Sequence, residues 1–141
     1  MGFDRKYLVW ALVYVATGMA LGIYMAAAHN HAQHVRHAHI LLVGFVVSFI
    51  YAVIYKLWLG ETTPRLARIQ LIAHQAGALT MFIGLFLLYQ GIVPEAQIES
   101  ILAQSTIVVF IAALFMIVMV LKQPSAGMNN LAQNQGAKKV A

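Results

Sequence analysis

The chain contains no cysteine. Its absence removes disulfides, thiolate metal sites, iron–sulfur clusters and the C-x-x-C-H attachment of a c-type haem, so any haem held here is held non-covalently. Charge is nearly as scarce. Only 9% of residues are charged, against roughly 25% in a soluble domain, which makes this a chain built for lipid. The four acids, Asp4, Glu61, Glu95 and Glu99, all fall at or beyond the ends of apolar runs, so no carboxylate is expected deep in a bilayer. That argues against a proton-coupled exchanger, whose usual relay is an intramembrane acid. No paired-carboxylate or Ser–His–Asp set is available for hydrolysis.

Apolar residues make up 62% of the sequence. They fall into four runs, at about 7–28, 38–59, 66–90 and 98–121, each near the ~20 residues that cross a hydrocarbon core. Pro64 and Pro94 sit between runs, where helices stop. The first run follows Asp4, Arg5 and Lys6 and is longer than the ~7–15 residues of a signal-peptide core, so a retained helix is expected. Met1-Gly2 is followed at position 6 by Lys6, not the Ser or Thr of a myristoylation signal. The fold class is therefore all-α, a four-helix transmembrane bundle over 1–121. The tail 122–141, rich in Ala, Gln, Asn and Gly, has little to bury and is expected to be disordered.

Basic residues set the expected orientation. Arg5, Lys6, Lys56, Arg65, Arg68, Lys122, Lys138 and Lys139 gather at one side and Arg36 alone at the other, which accounts for all 9. By the positive-inside rule both termini are expected to be cytoplasmic and the Arg36 side to face the periplasm or outside; a bacterial inner membrane is the expected location. The net charge of +5 is spread over helix ends, so nucleic acid is not an expected partner; the lipid bilayer is.

Five of the six histidines, His29, His31, His34, His37 and His39, crowd into H-N-H-A-Q-H-V-R-H-A-H between the first two runs. Neutral imidazole is a good ligand for haem iron, copper and zinc. On a continuous helix His37 and His39 point about 200° apart and do not chelate one ion, whereas His34 and His37, three apart, can share a metal. Arg36 is placed either to pair with an anionic group at the interface or to snorkel into water. His74 enters from the opposite side, on the order of 15 Å away in depth. It is expected to be buried with a hydrogen-bond partner or to face a second site, with Gln75, Tyr51, Tyr55 and Thr80 as candidate neighbours. Gly18 and Gly22, then Gly44, Ser48 and Ala52, then Ala73 and Gly77 mark faces for close packing, within the bundle or against another protomer.

Arg36-His37-Ala38-His39 followed by I-L-L-V-G-F-V-V-S-F-I-Y-A-V-I-Y-K-L-W resembles the second transmembrane helix of haem–copper oxidase subunit I, closest to the nitric oxide reductase and C-type oxidase branches. Pro64 to Gly91 looks like the following helix, and the resemblance spans roughly residues 7–121. It implies His39 as an axial ligand of a low-spin, b-type haem near the outer face. Arg36 is well placed to pair with a propionate. The second axial ligand is left open between His29 or His31 folding over the iron and the His39 of a second protomer sharing one haem. The family's high-spin haem and copper ligands lie on later helices that these residues do not include, so catalysis of oxygen or nitric oxide reduction is not expected from them. Two functions follow as expectations: a haem-binding membrane protein for electron transfer or gas sensing, assembled as a homo-oligomer with an unspecified redox partner, or a copper- or zinc-binding or delivery protein.

Overall fold

The computed structural model describes residues 1–59 and 64–122. Glu61, Lys138, Lys139 and, past Lys122, the expected tail lie outside the described residues. Four helices account for nearly all the rest: α1 (Phe3–Ala27), α2 (His34–Leu59), α3 (Pro64–Tyr89) and α4 (Glu95–Lys122). There is no strand among the described residues. Each helix is long and apolar enough to cross a membrane. At ~1.5 Å per residue, 25 residues reach past the ~30 Å of a hydrocarbon core.

The helices begin earlier than the apolar runs, because polar end residues still satisfy helical hydrogen bonds. α3 starts on Pro64, whose missing N–H is one of the donors left over at a helix start. Glu95 in the first turn of α4 and Lys122 in its last complement the helix dipole. α2 begins at His34 and not near residue 38, which puts His34, Arg36, His37 and His39 on the helix itself and leaves His29 and His31 in the connection.

Both helix ends at the histidine side close with the same device. Ile92 N–H donates to the Leu87 carbonyl and Gly91 N–H to Leu88, both at 3.0 Å, with Gly91 at φ +68°. Asn30 N–H donates to Met25 at 3.2 Å and His29 N–H to Ala26 at 3.3 Å, with His29 at φ +47°. Both are Schellman closures, which need one residue in the left-handed region. Glycine fills it at no steric cost; histidine does not.

Small residues bring the helices together inside this one chain. Gly18 accepts Ile40 and Leu41, Gly44 receives the ring of Tyr14, and Gly77 leaves room for Val109 and the Ser105 backbone. The first two pairs dock α1 on α2, and the last docks α3 on α4, which packs mainly along α3. One core cluster joins Tyr7, Tyr55, Leu59, Ala67 and Met119; the other joins Tyr14, Ile40, Ala78, Phe82 and Leu85. Phe3 stacks on Tyr55, whose hydroxyl reaches Met119 Sδ, so the start of α1 and the ends of α2 and α4 share one end of the bundle. The outside is apolar, with Ile23, Leu42, Phe110 and Leu121 all exposed, while Ser48, Gln70, His74 and Gln75 are buried. An apolar outside suits lipid as solvent, and with four helices of spanning length it is consistent with a multi-pass, all-α membrane protein.

α2 is not a plain α-helix. Ile40–Val46 and Tyr55–Leu59 are wound as π-turns, with Val47 N–H donating to Leu42. A π-turn takes in an extra residue, and such turns occur often at functional sites. The first begins directly after His39.

Candidate functional site

The histidine stretch does not form one chelate. Among the described residues, no three His, Cys, Asp or Glu side chains are placed to hold a common metal ion. The reason is visible helix by helix. His34 turns toward α3, with its ring 6.5 Å from that of Tyr89. His37 turns toward α1, where its Nδ1 meets the Gly18 carbonyl at 2.9 Å and its ring rests on Gly22. The i, i+3 pair expected to share a metal is therefore split between two neighbouring helices. His29 and His31 are exposed, and His29 serves as the closing residue of α1.

Three of these imidazoles share one feature. His34 Nδ1 bonds the His31 carbonyl at 2.9 Å, His37 Nδ1 the Gly18 carbonyl, and His39 Nδ1 the Val35 carbonyl at 2.8 Å. A carbonyl only accepts, so each Nδ1 carries the proton and each Nε2 of a neutral ring keeps its lone pair. This is the tautomer in which a histidine ligates through Nε2, with its second nitrogen held by a backbone oxygen. His39 is half-buried at the head of α2 and is tethered only to its own helix.

Beside it lie polar groups without partners. Arg36 Nε and both side-chain atoms of Gln33 are buried and make no hydrogen bond. The Arg36 guanidinium lies 4.6 Å from the Phe86 ring centroid. It borders a crevice of about 260 Å³ with Trp10, Tyr14, Phe82 and Phe86, to which no histidine contributes. Gln33 escaped the sequence reading because a single glutamine in a polar connection carries no periodic signal.

His74 belongs to a separate, internal network. Tyr14 donates to Gln75 Oε1 at 2.6 Å, Gln75 Nε2 to Ser48 Oγ at 3.5 Å, and Ser48 Oγ lies 3.3 Å from His74 Nε2. Ser48 Oγ accepts from Gln75 and joins it to the imidazole of His74. His74 Nδ1 is buried and meets no partner at hydrogen-bond geometry. A second branch runs from Tyr7 and Tyr55 to Gln70 Oε1, at 2.7 and 3.2 Å, leaving Gln70 Nε2 unpartnered. Tyr7 and Tyr51 pack on the His74 ring at 5.9 and 5.1 Å. Of the expected neighbours Tyr51 touches His74, Gln75 is one link away and Tyr55 joins the Gln70 branch. Thr80 is exposed. Tyr7, Tyr14 and Gln70 were missed and Ser48 was read only as a packing residue, although Tyr7 and Tyr14 are seven apart and Gln70 and His74 four apart, the spacing of one polar face inside apolar helices. Ser48 stands nine residues beyond His39 on α2, so the two sites are on the order of 13 Å apart in depth.

No protein-family model, curated protein or solved structure matches this chain. None of these comparisons links the chain to haem–copper oxidase subunit I.

Proposed function

We propose that this chain is an integral membrane protein that binds b-type haem at the histidine-bearing end of its bundle, with His39 as an axial ligand, and serves in electron transfer or gas sensing. The observation that carries the reading is the half-buried His39, its Nδ1 held by the Val35 carbonyl and its Nε2 left with a lone pair. A haem brings four equatorial nitrogens of its own and asks the protein for one or two imidazoles. Copper or zinc asks for three or four donors from the protein, and no such group stands among the described residues. That difference in the number of protein donors is what supports haem over the copper- or zinc-delivery reading.

The unpartnered donors fit the same group. Arg36 Nε and Gln33 Nε2 lack acceptors, and a haem propionate is a carboxylate that accepts from both. When bound, haem supplies a one-electron couple and a coordination position for small gases. The chain's part is to hold one imidazole in the ligating tautomer, to neutralise the propionates at the membrane surface, and to keep the ring edge in an apolar setting. Both termini cytoplasmic, with the rim periplasmic in a bacterial inner membrane, is the orientation this reading takes.

The test is an absorption spectrum and metal analysis of protein purified in mild detergent from haem-replete cells. A Soret band with stoichiometric iron supports the reading. Bound copper or zinc without a Soret band, lost in His34→Ala and His37→Ala, would replace it.

A further inference from the structure

At the opposite end of the bundle, α1 and α2 enclose a groove on their lipid-facing side, about 400 Å³ in volume. This lies within the ~300–1,000 Å³ of typical ligand sites. Its walls are Leu8 from α1 with Phe49 and Val53 from α2, and its mouth carries Arg5, Lys56 and Asp4. Leu8 and Phe49 are 39% and 45% exposed, so the groove opens outward and is not part of the core. From Lys56 to Phe49 is seven residues, about 10 Å of depth along α2.

The mouth has a definite charge. Arg5 and Lys56 are exposed, and neither makes an ion pair among the described residues. The Asp4 carboxylate is turned back against Gly2 at the start of α1, where it complements the helix dipole. Among the described residues, Arg5 and Lys56 against Asp4 leave this rim a net positive charge over an apolar slot. Apolar depth under a cationic mouth is the shape of a phospholipid with a negative headgroup, and basic pockets between transmembrane helices recognise such lipids.

We propose that this groove is a binding site for one singly anionic phospholipid of the phosphatidylglycerol type. Its phosphate lies between Arg5 and Lys56, and one acyl chain runs along Leu8, Val53 and Phe49. The site is independent of haem and of the histidine end.

The full chain is reconstituted in vesicles of equimolar phosphatidylglycerol and phosphatidylethanolamine, extracted in mild detergent and weighed by native mass spectrometry. One phosphatidylglycerol per chain is expected, retained about tenfold or more over phosphatidylethanolamine. The double variant Arg5→Gln/Lys56→Gln loses that preference. Val53→Trp, which fills the slot and leaves the charges alone, loses the lipid as well. Lys6→Gln, whose ammonium lies over Phe3 and not in the groove, retains it. Circular dichroism shows that each variant is still helical. Three results overturn the proposal: equal retention of both lipids, retention unchanged in the double variant or in Val53→Trp, or displacement of the bound lipid by glycerol phosphate alone.

Discussion

His37 and His39 stand two residues apart with the same Nδ1–carbonyl bond, yet they do different work. His37 bonds across to Gly18 of α1 and sits against Gly22, so it fastens two helices. His39 bonds only back to Val35 on its own helix. His39→Ala is expected to abolish or strongly reduce bound haem, read as the Soret absorbance per protein. His37→Ala keeps the haem and loses stability by roughly 0.6 kcal/mol or somewhat more, the usual worth of one interhelical hydrogen bond in a membrane. Equal haem content in His39→Ala and wild type sinks the assignment. Arg36→Gln and Gln33→Ala remove supports to the cofactor and not a ligand, so each should weaken haem retention about tenfold while leaving the position of the Soret band unchanged. The histidine content of this end was legible from the sequence, because five imidazoles in eleven residues stand out in any apolar chain. The divergence of His37 and His39 followed from helix geometry, but the parting of His34 from His37 did not, because it depends on which helix each ring meets.

At the scale of the element, three departures from ideal helix geometry carry consequences. Gly91 closes α3 at φ +68° with nothing within 4 Å of an added Cβ, so a substitution there meets backbone strain alone. Gly91→Ala is expected to destabilise by about 1 kcal/mol. His29 closes α1 at φ +47° with a side chain that pays the same strain. His29→Gly should therefore raise the thermal midpoint, by about 1 kcal/mol in free-energy terms, when both proteins are heated in the same detergent. A fall in the midpoint, together with lost haem, would instead place His29 on the iron. The third departure is the π-wound stretch Ile40–Val46, whose buried residues are Ile40 and Gly44. The four spans were readable from apolar runs of membrane length, and their order and number hold in the structure. The π-turns were not readable, since they leave no mark in hydropathy. The helix starts were placed late for a similar reason: hydropathy reports the membrane core, while hydrogen bonding continues into the interface.

Taken whole, the molecule separates two polar systems by depth. The histidine end holds imidazoles with lone pairs and donors without acceptors, while the interior holds a chain from Tyr14 through Gln75 and Ser48 to His74. His74→Ala should leave the Soret band largely intact and weaken the fold, because Ser48 then loses its hydrogen-bond partner and Tyr7 and Tyr51 lose the ring between them. Placing the two systems relative to the cell requires orientation. The start of α1 and the ends of α2 and α4 share one end of the bundle. That end carries Arg5, Lys6, Lys56 and Lys122, while His29, His31 and Arg36 lie toward the other. Charge asymmetry of this kind is retained on the cytoplasmic side during insertion. Reporter fusions after Leu59 and after Lys122 are therefore expected to read cytoplasmic, and an insertion at Gln33 to read external. Even helix number makes the first two readings agree with each other whatever the orientation, so agreement alone tests only the count of spans. The fusion at Gln33 is the informative arm. A cytoplasmic signal there would invert the bundle, put the proposed haem on the inner face, and leave Arg5 and Lys56 facing the outer leaflet.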